Sequence, residues 1–231
     1  MRDDMAGALV THFPQKPAVV LVHGLWMTGW DMYLLAHRME QCGFRVYRFS
    51  YRSTRYGLRE NAFLLNRFLE TIPGATIHLV GHSLGGLVIR RLFLDYPRQR
   101  PGRIVTLGTP HRTSRTAQRL QRAGWGRWAL GKSFGALTTA LPPWDNRRDL
   151  GSIAGNQPLG LGRLLRCLPA ENDGSVAVDE TVVPGSAHIV LPACHMGMLV
   201  SAPVAREACQ FLHTGRFSNA LPTAETTGAA A

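Results

Sequence analysis

Lysine is nearly missing from this 231-residue chain. Lys16 and Lys132 are the only two, and the other cations are arginines, for a formal net charge of +11. Long apolar runs are missing too. None approaches the ~20 residues that cross a bilayer, which argues against a chain built on membrane-spanning helices. Only four cysteines occur, at 42, 167, 194 and 209, with no Cys-x-x-Cys pair. That excludes a zinc ribbon or a dithiol redox motif and reads as reduced thiols in a cytoplasm. There is no Gly-rich dinucleotide fingerprint and no metal-ligand spacing, so no cofactor and no metal are expected. No RNP, zinc-finger or helix-turn-helix pattern accompanies the arginines, which are scattered. Specific nucleic-acid binding is not expected; a weak, salt-sensitive attraction to anionic membrane surfaces fits the charge better. Met1-Arg2-Asp3-Asp4-Met5 carries acids early and no apolar segment of signal-peptide length follows, so the reading is cytoplasmic. Internal repeats are lacking as well.

What is present is a globular composition. Hydrophobic residues make up 45% and charged residues 18%, enough apolar mass for one domain with its own core. Ala18–Val22, Phe44–Tyr51, Thr76–Val80, Arg103–Leu107, Leu150–Ala154 and Ile189–Leu191, with Ala187 as an alternative start for the last, read as strands. Trp30–Cys42, Leu58–Thr71, Leu84–Tyr96 and Val200–Leu212 read as helices, the first three closed by Gly43, Pro73-Gly74 and Pro97. Strands alternating with helices predict an α/β fold, a mostly parallel sheet of about six strands covered on both faces. Little chain precedes the first strand, so the sheet is expected to be trimmed at its N-terminal side. Residues 1–213 read as one domain, with 112–146 as an insertion of weak periodicity and 214–231 as a flexible tail.

Gly81-His82-Ser83-Leu84-Gly85 matches G-x-S-x-G. The pattern alone is short and weakly diagnostic. Its setting gives it force: TIHLV precedes it and LVIRRLFL follows, a strand–turn–helix. A sharp turn there puts the serine in a strained conformation and needs glycine neighbours for close backbone approach. It lifts Ser83 Oγ clear of the sheet and aims the Leu84 N–H at a developing oxyanion. The bland alternative is a helix-capping serine after a Gly-rich turn, which the strand–turn–helix setting disfavours. His23-Gly24-Leu25-Trp26 follows the first strand, where a second oxyanion donor is needed. Leu25 N–H is the first candidate and Trp26 the second; His23 is read as a brace for the loop.

A serine hydroxyl needs an imidazole to take its proton, and the imidazole needs a carboxylate to hold its tautomer. If the chain order is serine, acid, histidine, then His111, His188, His195 and His213 remain for the base. His111 comes too early, His188 starts a strand at the wrong edge, and His213 ends the last helix. His195, between the last strand and the last helix, is the expected base. Among the carboxylates between Ser83 and His195, Asp95 ends a helix pointing away, and Asp145 and Asp149 precede a strand. Asp173, in the turn Glu171-Asn172-Asp173-Gly174, is favoured, with Asp179 second. An Asx turn at Asp173 would compete for the carboxylate that His195 needs.

With these residues placed, the chain resembles bacterial lipases and esterases of the α/β-hydrolase superfamily over roughly residues 17–213. The likeness rests on HGLW (23–26), GHSLGG (81–86), LGTPH (107–111), NDGSV (172–176) and the late His195. It implies Leu25 and Leu84 as oxyanion donors, Asp173 as the acid, and a structural role for the Thr-Pro-His turn. The short chain and the absence of an evident secretion signal suggest a small intracellular esterase. The substrate expectation is a small-molecule acyl ester, contacted by Trp26 and His82. Trp125, Trp128, Leu130, Phe134, Leu137, Leu141 and Trp144 of the insertion either line an acyl site under a lid or pack on the body. A thioesterase or acyltransferase would use the same triad, and a silent scaffold would keep the fold without the chemistry.

Overall fold

The computed structural model describes residues 16–124, 126–145, 147–159 and 168–218. Six strands form one sheet: β1 (Ala18–Val22), β2 (Arg45–Phe49), β3 (Ile77–His82), β4 (Ile104–Leu107), β5 (Leu150–Gly155) and β6 (Ala187–Leu191). Every pairing is parallel, in the order β2-β1-β3-β4-β5-β6. A central parallel strand must be apolar on both faces, and β1 is: AVVLV is buried throughout. Its alternate residues then divide the core. Val20 and Val22 pack with Leu65, Leu87 and Leu92 of α2 (Leu58–Thr71) and α3 (Leu84–Asp95). Val19 and Leu21 pack with Leu35 and Met39 of α1 (Tyr33–Gln41) and with Val204, Ala208 and Phe211 of α7 (Ala202–Thr214). No described helix is long and apolar enough to cross a membrane.

The chain order reverses direction across the sheet between β1 and β3. In open parallel sheets the crevice outside the strands' carboxyl ends at such a switch point is where ligands bind. The predicted site segments lie there: residues 23–26 after β1, Ser83 after β3, 108–111 after β4 and His195 after β6.

Three expectations need correction. The stretch 112–146 has more order than its periodicity suggests: it holds α4 (Arg115–Arg122), α5 (Gly126–Leu130) and α6 (Phe134–Thr138). These helices have five to eight residues, too short for a 3.6-residue stripe to declare itself. The tail does not leave the body at 214. Gly215 turns the chain with φ 80°, Phe217 is buried against Phe211, and the Ser218 N–H donates to Glu207. Residues 219–231 lie outside the described residues, as do residues 1–15 of the signal-peptide reading.

The third correction concerns the thiols. Cys42 and Cys209 form a disulfide, 167 residues apart in sequence, their Cα atoms 6.3 Å apart. Cys42 ends α1 and Cys209 lies on α7, and the two helices share one face of the sheet. Tertiary packing makes that pair, and spacing in a sequence does not reveal it. The expected reduced thiols are thus corrected at Cys42 and Cys209. Cys194 is free; Cys167 lies outside the described residues.

Candidate active site

Ser83 sits where β3 gives way to α3, with φ 53° and ψ −121°. Only two described non-glycine residues have positive φ, Ser83 and Trp26, and both belong to this site. Each such conformation costs on the order of 1–3 kcal/mol, so the surroundings must over-determine it. They do at Ser83. Its N–H donates to Leu107 O at 2.8 Å, and its carbonyl accepts from Thr109 Oγ1 at 2.9 Å and from the Gly86 N–H at 3.1 Å. The flanking glycines are a steric requirement. A Cβ on Gly85 would lie 2.1 Å from Val22 O, and one on Gly81 2.6 Å from Gly86 N. Gly85 thus lets the start of α3 rest against the end of β1, and so against the loop beginning at His23.

That loop is braced as expected. His23 is fully buried, and its Nδ1–H donates to Gly24 O at 2.8 Å while Nε2 accepts from the Tyr51 N–H at 3.1 Å. The two contacts together assign the neutral tautomer. Burial holds its pKa below the ordinary imidazole value. Trp26 is excluded as a free donor: its N–H is engaged by Ser53 Oγ at 3.1 Å. Among the described hydrogen bonds, the Leu25 and Leu84 N–H groups have no partner. Ser53 and Tyr51 went unnoticed in the sequence, because nothing about a loop after the second strand marks it as touching the loop after the first.

Asp173 and His195 meet at the carboxyl edge. His195 Nδ1 lies 2.6 Å from Asp173 Oδ2, and the His195 N–H donates to Asp173 O at 2.8 Å. The feared competition with an Asx turn is resolved by dividing the carboxylate. Oδ1 accepts from the Ser175 and Val176 N–H groups at 2.8 and 2.7 Å, and Oδ2 serves His195 alone. Asp173 is almost fully buried. With Nδ1–H turned to the carboxylate, His195 keeps Nε2 free as a proton acceptor. Gly108, at φ 54°, lies under the pair, and a Cβ there would come within 2.8 Å of Asp173 Oδ2.

The passed-over residues are placed elsewhere. Asp179 is held in a fork by Arg115, at 2.6 and 2.7 Å. Asp95 is held by Arg91. His111 lies against Thr106 Oγ1, His188 against Thr181 Oγ1, and His213 against Cys42 O. His82, expected as a substrate contact, is among the residues that line the cavity. It is fully buried, its Nε2–H donates to His195 O at 3.0 Å, and its ring lies tilted against the His195 ring. Burial and the neighbouring His195 push its pKa down to about 3. His82 thus both lines the cavity and braces His195.

Ser83 and His195 open on one cavity of about 220 Å³. Its walls are largely apolar: Leu25, Trp26 and Met27 on one side, Leu120, Leu130 and Leu137 from the insertion on another. The insertion's other large residues divide. Trp144 packs edge-on against Phe93 in the core, Phe134 and Leu141 pack on the same core cluster, and Trp128 is 82% exposed. Trp125 lies outside the described residues. Among the described contacts no hydrogen bond joins Ser83 Oγ to His195, though both face the same cavity.

The profile of the alpha/beta hydrolase family matches residues 19–214. No curated protein matches the sequence. Among solved structures, a Bacillus licheniformis lipase in its mature form is similar, with TM-score 0.73 and 21% identity over 89% of this chain and 94% of that one. A metagenomic carboxyl esterase gives TM-score 0.61 at 18% identity, over 78% of this chain and 65% of that one. A Bacillus subtilis carboxylesterase gives 0.54 at 16%, over 87% and 85%. At these identities the likeness is one of fold.

Proposed function

The chain belongs to the alpha/beta hydrolase family, and from that premise we propose that it is a serine esterase cleaving carboxylic acyl esters through Ser83, Asp173 and His195. The observation that carries the reading is the short Asp173–His195 contact beside a strained Ser83, all at one apolar cavity. In this mechanism His195 Nε2 takes the proton from Ser83 Oγ as Oγ attacks the ester carbonyl. The Leu25 and Leu84 N–H groups receive the oxyanion. Collapse expels the alcohol, protonated by His195, and leaves an acyl-enzyme. Water, deprotonated by His195, then attacks the acyl carbon and releases the acid and Ser83. Asp173 keeps Nδ1–H in place and offsets the imidazolium charge.

The cavity, at about 220 Å³, is smaller than the roughly 300–1,000 Å³ of sites for drug-sized ligands. It suits short to medium acyl groups. The test is hydrolysis of p-nitrophenyl esters from acetate to palmitate beside Ser83→Ala. Turnover that peaks below the longest chains and vanishes in the variant supports the reading. Acyl-CoA substrates run in parallel distinguish a thioesterase with the same triad. No turnover of either, with no labelling of Ser83 by a fluorophosphonate, would mean a silent scaffold.

A further inference from the structure

Ser53 lies on the loop after β2, thirty residues upstream of the nucleophile and in none of the site's motifs. It is buried, at 5% exposure. Its Oγ accepts the Trp26 N–H, the peptide adjoining the Leu25 oxyanion donor. Trp26 has φ 58°, a backbone conformation that a bulky residue leaves unless something holds it. The other end of the loop is held by the same neighbourhood: Tyr51 N–H donates to His23 Nε2 and Tyr51 Oη to His23 O at 2.9 Å. The backbone of this bracket is also engaged on its far side. Ser133 Oγ donates to Ser53 O, and the Lys132 N–H donates to Thr54 O at 2.9 Å. The Trp26 indole N–H reaches Ala129 O at 2.8 Å. The oxyanion loop is therefore gripped at His23 and Trp26, on both sides of Leu25.

We propose that Ser53 is a positioning residue for the oxyanion hole: its hydroxyl holds Trp26 in the left-handed conformation that aims the Leu25 N–H at the substrate oxygen. The inference rests on the serine-hydrolase reading and goes beyond it. Ser53 touches no reacting atom. Its loss lets the Trp26 peptide relax, which turns the Leu25 N–H away while Leu84 keeps its place on α3. One of two donors is then misaimed. Removing an oxyanion donor outright costs about 100- to 1,000-fold in kcat, so misaiming one costs about 10- to 100-fold.

The experiment is fluorophosphonate labelling of Ser83 in the wild type, Ser53→Ala and Ser53→Cys, with ester kinetics alongside. Labelling needs the serine and the hole but no particular alcohol or acyl group, so it reports on Ser53 even if oxygen esters fail as substrates. In Ser53→Ala the maximal labelling rate falls about 10- to 100-fold while half-saturation stays within twofold and the final labelled fraction stays complete. Ser53→Cys keeps a weak acceptor of similar size and falls between the two. A merely structural role would instead lower the labelled fraction and leave the rate constant of the folded portion intact. That outcome, or wild-type labelling in Ser53→Ala, overturns the proposal. Should Ser53→Ala not fold, Ser53→Cys decides: an unchanged maximal rate overturns the proposal, and a reduced one with a complete labelled fraction supports it. Wild-type protein that labels but hydrolyses no ester refutes the ester reading and leaves this inference standing.

Discussion

Asp173 carries two loads on two oxygens. Oδ1 closes the turn to Ser175 and Val176, and Oδ2 holds His195. The division makes two substitutions separable. In Asp173→Asn the amide oxygen still accepts from the turn, but the NH₂ faces His195 and favours the wrong tautomer. Its kcat should fall about 10,000-fold with a melting temperature close to wild type. Asp173→Ala should lose the same activity and also about 1–3 kcal/mol of stability, because two N–H groups lose their acceptor. Kinetics and thermal melts on the pair check this; equal stability in both variants contradicts it. Gly85 is the second critical residue. A methyl group there would sit 2.1 Å from Val22 O, so Gly85→Ala must push α3 off β1. A melting temperature near wild type would refute that. The serine and its glycines were legible because the elbow is local: strand, turn and helix are consecutive in the chain. Asp173 was legible only through chain order and turn chemistry. Ser53 was invisible, because its partner is distant in sequence and its role is a single hydrogen bond.

At the scale of elements, the insertion supplies part of the cavity wall, which on the proposed function holds the acyl group. α4 is tied to the acid loop at its N-terminus: Thr116 Oγ1 donates to Ser175 O at 2.7 Å and the Arg115 N–H to Glu180 at 2.8 Å. Leu120 of α4 and Leu137 of α6 then form one wall of the cavity. Leu137→Ala should lengthen the pocket and raise the preference for longer over shorter p-nitrophenyl esters by about 10-fold, the worth of a methylene or two. An unaltered profile would separate this wall from the acyl group. Trp26→Ala, which removes both a cavity wall and the indole contact to Ala129, should also change the profile. The sequence showed that 112–146 was different from the alternating core but not what it forms. Its helices have five to eight residues, too short for periodicity to declare itself, and their apolar side chains serve the pocket and the core by turns.

Across the whole molecule, two features set the response to conditions. The Cys42–Cys209 bond closes nearly three-quarters of the chain into one loop. Reducing it, or making Cys42→Ser/Cys209→Ser, should cost about 2–4 kcal/mol and lower the melting temperature in proportion. A melt unchanged by reductant would contradict it. The second feature is a set of neutral histidines, buried or, at His188, half-buried. Desolvation lowers the pKa of His23, His111 and His188, and it holds His78 near 4 and His82 near 3. Protonating His78 also breaks the bond that its Nδ1 accepts from the Arg103 N–H. Above about pH 6.5 these groups are neutral folded or unfolded and pH does not matter to them. Below it the unfolded chain takes up protons that the folded one refuses. Stability therefore falls as pH drops from about 6.5 towards 4, by up to about 1.4 kcal/mol per unit for each such histidine. Melts at stepped pH values measure the slope, and a flat profile between pH 7 and 5 would contradict it.

The sequence by itself determined the parallel α/β sheet, the strained serine turn and the histidine after the last strand. Those features depend on neighbours in the chain: apolar runs, glycines at fixed offsets, and the order of elements. Tertiary structure alone decided the rest. It chose which cysteines pair, packed His82 against His195, divided the Asp173 carboxylate, and brought Ser53 to the oxyanion loop. Each of these is a contact between segments that meet only when the sheet has assembled, and no local pattern encodes it.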